Sequence, residues 1–309
     1  MNALVTGATG FIGRKLLTHL DRPVVLTRDP ERAAGLAGAP RPFGWDASCP
    51  VPAGALHGVD VVLHLAGDPI AEGRWTDAKK ARIRDSRVLG TRHLVESLRH
   101  AQERPGVLVS ASAVGVYGSR GDEPLDESSP PGSGFLPDVC IAWEREALAA
   151  EALGVRVVLV RIGVVLARDG GALARMLPVF RAGLGGPLGS GSQWMPWIHV
   201  DDVVGLLLHA ATTAAVTGPM NACAPEAVTN RSFPRALARA LGRPALLPVP
   251  SFALKAAFGE LASVLLGSQR ASPRVALGTG YRFRFPTLDG ALGDLLGTGP
   301  RPKVVEAGP

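Results

Sequence analysis

A chain of 309 residues that is 46% hydrophobic and 19% charged is long and apolar enough to bury a sizeable core, which excludes a disordered or low-complexity chain. A formal charge of +6 admits either a nucleic-acid surface or an Arg-rich soluble enzyme. Basic residues cluster only at Lys79-Lys80-Ala81-Arg82-Ile83-Arg84, and no nucleic-acid motif accompanies them, which favours the second reading.

The chain opens on Ala3-Leu4-Val5-Thr6, a short apolar run, then the glycine-spaced Gly7-Ala8-Thr9-Gly10, then an apolar-periodic segment over residues 11–20. This reads as strand, turn and helix. Gly7 and Gly10 let the backbone turn tightly and approach a pyrophosphate without a Cβ in the way. The start of the helix offers free N–H groups and a positive dipole end to the same anion. Gly13 lets the helix lie close against a sheet. A strand before and a helix after supply the context that a dinucleotide-binding turn requires.

Pro23-Val24-Val25-Leu26-Thr27 reads as a second buried strand ending at Arg28. The end of such a strand meets the adenosine ribose of a nicotinamide cofactor; an acid suits a free 2′-hydroxyl and an arginine a 2′-phosphate. Thr27 and Arg28 therefore favour NADP over NAD. Asp29 is the competing acid, but followed by Pro30 it reads as a helix N-cap.

A Pro/Gly-rich passage over 34–58 contains one short strand at 41–45, closed by Asp46. The run 59–67 is continuously apolar, as in the middle of a parallel sheet, and leaves through Gly67. His64 inside it reads either as a packed, hydrogen-bonded residue or as a ligand or base. Residues 76–104 predict a long helix with a broken apolar face, ended by Pro105-Gly106. Residues 107–112 form the next strand, with Ser110 and Ser112 at its carboxyl end, where open α/β sheets bind ligands. A helix over 136–153 and a sixth strand over 155–161 follow. Strand and helix alternate throughout, so the fold class is α/β, a doubly wound, Rossmann-like parallel sheet.

The second half breaks that rhythm. A glycine-dense loop over 183–192 leads into Gln193-Trp194-Met195-Pro196-Trp197-Ile198-His199-Val200-Asp201-Asp202, an apolar helix over 203–214 and shorter Pro/Gly-punctuated helices. The expected organisation is a nucleotide-binding domain over 1–165 and a smaller C-terminal α+β substrate lobe over 166–296. Segments around 193–214 return to the Rossmann core, and a tail from Gly297 reads as disordered. The widely spaced Cys49, Cys140 and Cys223 give neither a disulfide framework nor metal spacing, which suits a reducing compartment. With no signal peptide ahead of the first strand and charges inside the apolar segment 251–267, the cytoplasm is expected, without membrane or nucleic-acid partners. A monomer and a homodimer are both open.

Together these pieces resemble the extended short-chain dehydrogenase/reductases, the superfamily of nucleotide-sugar epimerases and dehydratases. The matching residues are Thr6 to Gly13, His64-Leu65-Ala66-Gly67, Ser110-Ala111-Ser112 with Val116-Tyr117-Gly118, Arg161-Ile162-Gly163-Val164-Val165, and Trp197-Ile198-His199-Val200-Asp201-Asp202. More narrowly, the chain is similar to an atypical epimerase-like branch. The shared features are Gly73-Arg74-Trp75 with Ser86-Arg87, the segment Phe135-Leu136 to Trp143-Glu144, and a C-terminal extension carrying Leu266-Gly267-Ser268-Gln269-Arg270 and Gly280-Tyr281-Arg282-Phe283.

The resemblance implies that Gly7, Thr9, Gly10, Phe11, Ile12 and Gly13 hold the pyrophosphate of NADP and that Thr27 and Arg28 take its 2′-phosphate end. It further implies that Leu65, Ala66 and Gly67 line its middle, that Ser86 and Arg87 reach the pyrophosphate or ribose, and that Val165 lies near the nicotinamide. Asp46 reads as reaching the adenine or as a loop cap. His199, Asp201 and Asp202 read as capping the helix that starts there.

The superfamily's chemistry uses a Tyr and a Lys four residues apart on one helix face, the Lys lowering the phenol's pKa while the Tyr moves a proton. No Tyr-x-x-x-Lys occurs in this chain: Tyr117 is followed by Gly121 and Tyr281 by Phe285. At the aligned positions stand Cys140 and Glu144, which share a face at i, i+4. A thiol is shorter than a phenol, and a neighbouring carboxylate raises its pKa. Ser112, Cys140 and Glu144 are the remaining catalytic candidates. The expected substrate space lies between Ser112, Cys140, the loop from Gly183 and the Trp194/Trp197 pair. Two functions follow from different classes: an NADP-dependent oxidoreductase or epimerase of altered mechanism on an unidentified small molecule, and a catalytically silent NADP(H)-binding regulatory or sensor protein.

Overall fold

The computed structural model describes residues 1–245 and 247–298. Its centre is a seven-stranded parallel sheet in the order Gly218–Ala222, Arg156–Ile162, Val107–Ala113, Val61–His64, Ala3–Thr6, Val24–Thr27, Arg41–Gly44. Alternate residues of each strand face opposite sides, and both faces are apolar. Ala3, Val5, Val25, Leu63, Val109 and Val158 meet Leu16 and Leu17 of the helix Phe11–Leu17 and Val203, Val204 and Leu207 of the helix Val200–Thr212. Leu4, Val24, Val62, Leu108 and Val157 meet Leu94 and Leu98 of the helix Asp77–His100 and Ala147 of the helix Phe135–Leu148. Each such leucine contributes about 1.5–3 kcal/mol by leaving water, which is why the strands read as unbroken apolar runs.

Several elements end earlier than expected. The first helix stops at Leu17, where Thr18 Oγ1 donates to the Lys15 carbonyl (2.7 Å) and turns the chain. The long helix stops at His100, before Pro105 is reached. Beyond Leu148 the expected helix tightens into a 3₁₀ turn, Ala149–Leu153. The third strand ends at Gly44, leaving Trp45 buried beyond it. The helix expected at 203 starts at Val200 because His199 caps it, Nδ1 accepting from the Asp201 N–H (3.0 Å). Gly297, expected in a disordered tail, instead ends the helix Leu288–Leu296 in a left-handed conformation (φ 69°); residues 299–309 of that tail lie outside the described residues.

The C-terminal half adds small sheets: Val164–Leu166 beside Trp197–His199, Trp194–Met195 beside Val228–Thr229, and Arg270–Ala271 beside Pro124–Leu125. The return to the main sheet is made by Gly218–Ala222, paired with Arg156–Ile162. Asp202 then fastens the extension to the core. It is buried and accepts from the N–H groups of Arg284 (2.8 Å) and Phe285 (2.9 Å) and from the Tyr281 hydroxyl (3.1 Å). Burial raises its carboxyl pKa, against the lowering effect of those bonds. His199 stacks on Phe285 at 3.9 Å. The His199-Val200-Asp201-Asp202 segment is therefore a joint between the two halves.

Candidate functional site

The carboxyl ends of the central strands carry the glycine-spaced turn that starts at Gly7. Gly7 has φ 70°, and a Cβ there would sit 2.7 Å from the Leu65 carbonyl. A Cβ on Gly13 would lie 2.3 Å from the Gly7 oxygen, so helix and loop are packed against each other with no room for a side chain. The first intrahelical bond runs from Arg14 N to Gly10 O (2.8 Å). The amides of Phe11, Ile12 and Gly13 ahead of it have no helical acceptor, and no side chain caps them. Thr9, Phe11 and Ile12 are half-buried and Gly10 is exposed.

The neighbouring turn Leu65-Ala66-Gly67 is held from beneath. Thr6 Oγ1 accepts from the N–H groups of Leu65 (3.1 Å) and Ala66 (3.0 Å) and lies 2.7 Å from His64 Nδ1, whose Nε2 lies 2.9 Å from Thr91 Oγ1. Because Thr6 Oγ1 already accepts two amides, its proton goes to Nδ1 and His64 carries its own on Nε2. Burial lowers the His64 pKa to about 4. His64 is thus a neutral support for the turn. Ser86 and Arg87 act on the same turn: Ser86 Oγ accepts from Asp68 N (3.0 Å), and Arg87 Nη1 donates to the carbonyls of Asp68 and Ile83 (both 3.0 Å). The Arg87 guanidinium sits 5.3 Å over Trp143 and packs against Gly67. Lys79, also buried, pairs with Asp68.

At the end of the second strand Thr27 is buried, its Oγ1 accepting from Asp29 N (3.2 Å), while Asp29 caps the following helix by accepting from Arg32 N (3.0 Å). Arg28 is exposed, and among the described residues its guanidinium has no hydrogen-bond or ion-pair partner. Asp46 accepts from Ser48 N (2.9 Å) and Ser48 Oγ (2.7 Å), closing its own loop. Val165 is buried, paired with Ile198, in the same cluster as Phe11.

The catalytic candidates lie in the interior. Ser112 is 4% exposed and its Oγ donates to Glu144 Oε1 (2.6 Å). Arg161 grips the same carboxylate with Nε on Oε1 (2.9 Å) and Nη2 on Oε2 (2.8 Å). Burial works against the Arg161 charge, and the bonds and charge of Glu144 more than offset it. Arg161 Nη1 also donates to the Tyr117 hydroxyl (3.0 Å), which donates to Asn221 Oδ1 (2.8 Å). Asn221 N in turn donates to Glu127 Oε1 (2.9 Å), leaving Glu127 Oε2 buried without a partner. Cys140 is buried, and its thiol is pushed up to about 12 by burial and by Glu144, with Arg87 acting in the opposite sense.

This departs from the expected substrate space. Cys140 and Trp197 are core residues, Trp197 Nε1 donating to the Glu226 carbonyl (2.9 Å), and Trp194 Nε1 is taken up by Asp122 (2.6 Å). Both tyrosine hydroxyls are engaged internally, Tyr117 with Arg161 and Asn221, and Tyr281 with Asp202. Sequence reading missed Arg161, Asn221 and Glu127 as members of a single network. Its one visible signal was Arg161 closing the apolar run 157–160, where an arginine cannot be buried without an anion.

The sequence model of the NAD dependent epimerase/dehydratase family matches residues 3–223. The chain belongs to that family. Residues 249–295 match a domain of unknown function, DUF1731. The Arabidopsis thaliana epimerase family protein SDR39U1 homolog, chloroplastic, is 44% identical, across 94% of this chain and 86% of that protein. The Bacillus subtilis epimerase family protein YfhF is 36% identical, across 96% of this chain and 98% of that one. The crystal structure of human epimerase family protein SDR39U1 (isoform 2) with NADPH superposes with a TM-score of 0.86 at 36% identity, over 96% of this chain and 99% of that chain. Among the described residues no helix is long and apolar enough to cross a membrane.

Proposed function

We propose that this member of the family is an NADP(H)-binding protein that keeps the nucleotide cleft of the epimerases and has given up their proton relay, so that the bound nucleotide rather than a converted substrate is its output. The Ser112–Glu144–Arg161 arrangement carries this reading. The nucleotide-binding residues are Gly7, Thr9, Gly10, Phe11, Ile12 and Gly13 at the pyrophosphate. Thr27 and Arg28 serve the 2′-phosphate, Leu65, Ala66 and Gly67 the middle, Ser86 and Arg87 the pyrophosphate or ribose, and Val165 the nicotinamide end. Residues 1–165 make up this nucleotide-binding domain, with 166–296 as the second lobe. The NADPH bound to the human relative supports the phosphorylated form, as does the unpartnered Arg28.

A nicotinamide supplies hydride transfer when bound; reduction of a carbonyl then needs an acid beside the acceptor oxygen. Ser112 has committed its proton to Glu144. Both oxygens of Glu144 are taken up by Arg161 in a bidentate grip. Cys140 and Tyr117 are buried, and the half-buried Tyr281 has its hydroxyl engaged with Asp202.

The second reading, an oxidoreductase of altered mechanism on a small, unidentified substrate, rests on the position of Ser112 at the carboxyl end of a central strand with lone pairs left to accept a substrate hydroxyl. Purified protein, with its co-purifying nucleotide identified and then offered carbonyls and nucleotide sugars, separates the two. Retention of NADP(H) without turnover supports the first. Turnover abolished by Ser112→Ala establishes the second.

A further inference from the structure

A second concave site lies on the C-terminal half, and its lining shares no residue with the nucleotide cleft. A cavity of about 660 Å³ opens between the helix Ser232–Leu241 and the loop carrying Pro187, Gly189 and Ser190. Arg231, Arg235 and Arg239 stand at i, i+4 and i+8, so they form one row along the helix at roughly 6 Å intervals. Arg243, just past the Gly242 cap, extends the row. No acidic side chain lines the cavity. Arg239 is paired with Asp289 (2.9 and 3.1 Å), whereas Arg231 donates only to the neutral Ser190 carbonyl (2.8 Å). The guanidinium groups of Arg235 and Arg243 have no hydrogen bond or ion pair among the described residues. Three of the four positive charges are thus uncompensated on one wall.

The opposite wall is pre-formed. Gly189 N donates to Val249 O (2.8 Å) and Val249 N to Pro187 O (2.9 Å). Beneath them the buried amides of Asn230 and Gln193 hold Leu188 from both sides, Asn230 Oδ1 accepting from its N–H (2.7 Å) and Gln193 Nε2 donating to its carbonyl (3.0 Å). A rigid wall facing a row of guanidinium forks loses little freedom when a ligand arrives. No aromatic ring lines the space, so it offers no stacking surface for a base; recognition falls on charge and on bidentate N–H donors, which match phosphate oxygens.

We propose that this cavity binds a small polyphosphorylated anion, a diphosphate or longer phosphate chain laid along the arginine row. The test is calorimetric titration of inorganic tripolyphosphate into the full-length protein already saturated with NADPH, so that phosphate binding at the nucleotide loop does not contribute. The expected result is saturable binding that weakens as salt rises. It should fall at least about tenfold in Arg235→Ala/Arg243→Ala, while melting temperature and NADPH affinity stay at wild-type values. Absence of saturable binding to the wild type overturns the proposal, as does equal affinity in the double variant. Vesicles containing phosphatidylserine form the control arm: binding to them with no binding of tripolyphosphate transfers the arginine row to a membrane surface and overturns the small-ligand assignment.

Discussion

The hydroxyl of Ser112 donates to Oε1 of Glu144 at 2.6 Å, and that carboxylate is held bidentately by one edge of the Arg161 guanidinium, Nε and Nη2. The resemblance to the wider superfamily leads one to expect a lysine at position 144; the glutamate found there is neutralised by the buried cation Arg161. The helix Phe135–Leu148 thus presents Glu144 to a buried ion pair rather than to solvent.

Glu144→Ala removes the anion and leaves Arg161 buried and unpaired, a change expected to cost about 3–5 kcal/mol. Urea unfolding reads this directly. The same charge logic governs restoration of the superfamily pair: Cys140→Tyr/Glu144→Lys places a second cation against Arg161 and is expected to abolish soluble expression rather than create activity. A soluble double variant of wild-type stability contradicts the assignment.

Arg28 is the exposed, unpartnered guanidinium at the end of the second strand. Arg28→Ala is expected to weaken NADPH roughly tenfold to a hundredfold, in line with the loss of one charge-assisted contact, and to leave NADH unchanged. Fluorescence titration with both nucleotides checks it. An equal loss for NADH moves the 2′-phosphate contact elsewhere.

His64 makes stability pH-dependent. Its folded value is about 4 against 6.5 for the free side chain. Below pH 6.5 the unfolded chain therefore takes up a proton that the folded chain refuses. This contribution is complete above pH 6.5 and is lost as the pH falls towards 4, about 3 kcal/mol in all. His64→Gln is expected to lower stability at pH 7 and to flatten that slope, as measured by urea midpoints across the window.

Cysteine reactivity reports on the interior. Cys49 is exposed, whereas Cys140 and Cys223 are buried and burial raises both thiols. Iodoacetamide at pH 8 is expected to label Cys49 in the folded protein and the other two only after denaturation. Mass spectrometry that finds Cys140 labelled in the native state places it in the cleft after all.

Much of this was legible from residue pattern. The first strand, turn and helix carry their own signals, and strict apolar runs at 59–67 and 107–112 fit a sheet covered on both faces. The capping role of His199 and Asp29 also follows from local chemistry. Helix ends were less legible, because the turn at Thr18 and the 3₁₀ segment after Leu148 are set by local hydrogen bonds that periodicity does not show. The polar network was hidden for a different reason. Ser112, Glu144 and Arg161 lie far apart in sequence and meet only when strand, helix and strand are assembled. An aromatic pair such as Trp194 and Trp197 reads the same whether it lines a cleft or, as Trp197 does here, fills a core.

The central claim is that the cleft holds NADP(H) without a working proton relay. Incubating the purified protein with NADPH deuterated at the transferable position, together with a panel of carbonyl compounds and nucleotide sugars, tests it most directly. The expected result is a tightly bound nucleotide that retains its deuterium over hours. Deuterium appearing in any member of the panel, with the transfer lost in Ser112→Ala, contradicts it.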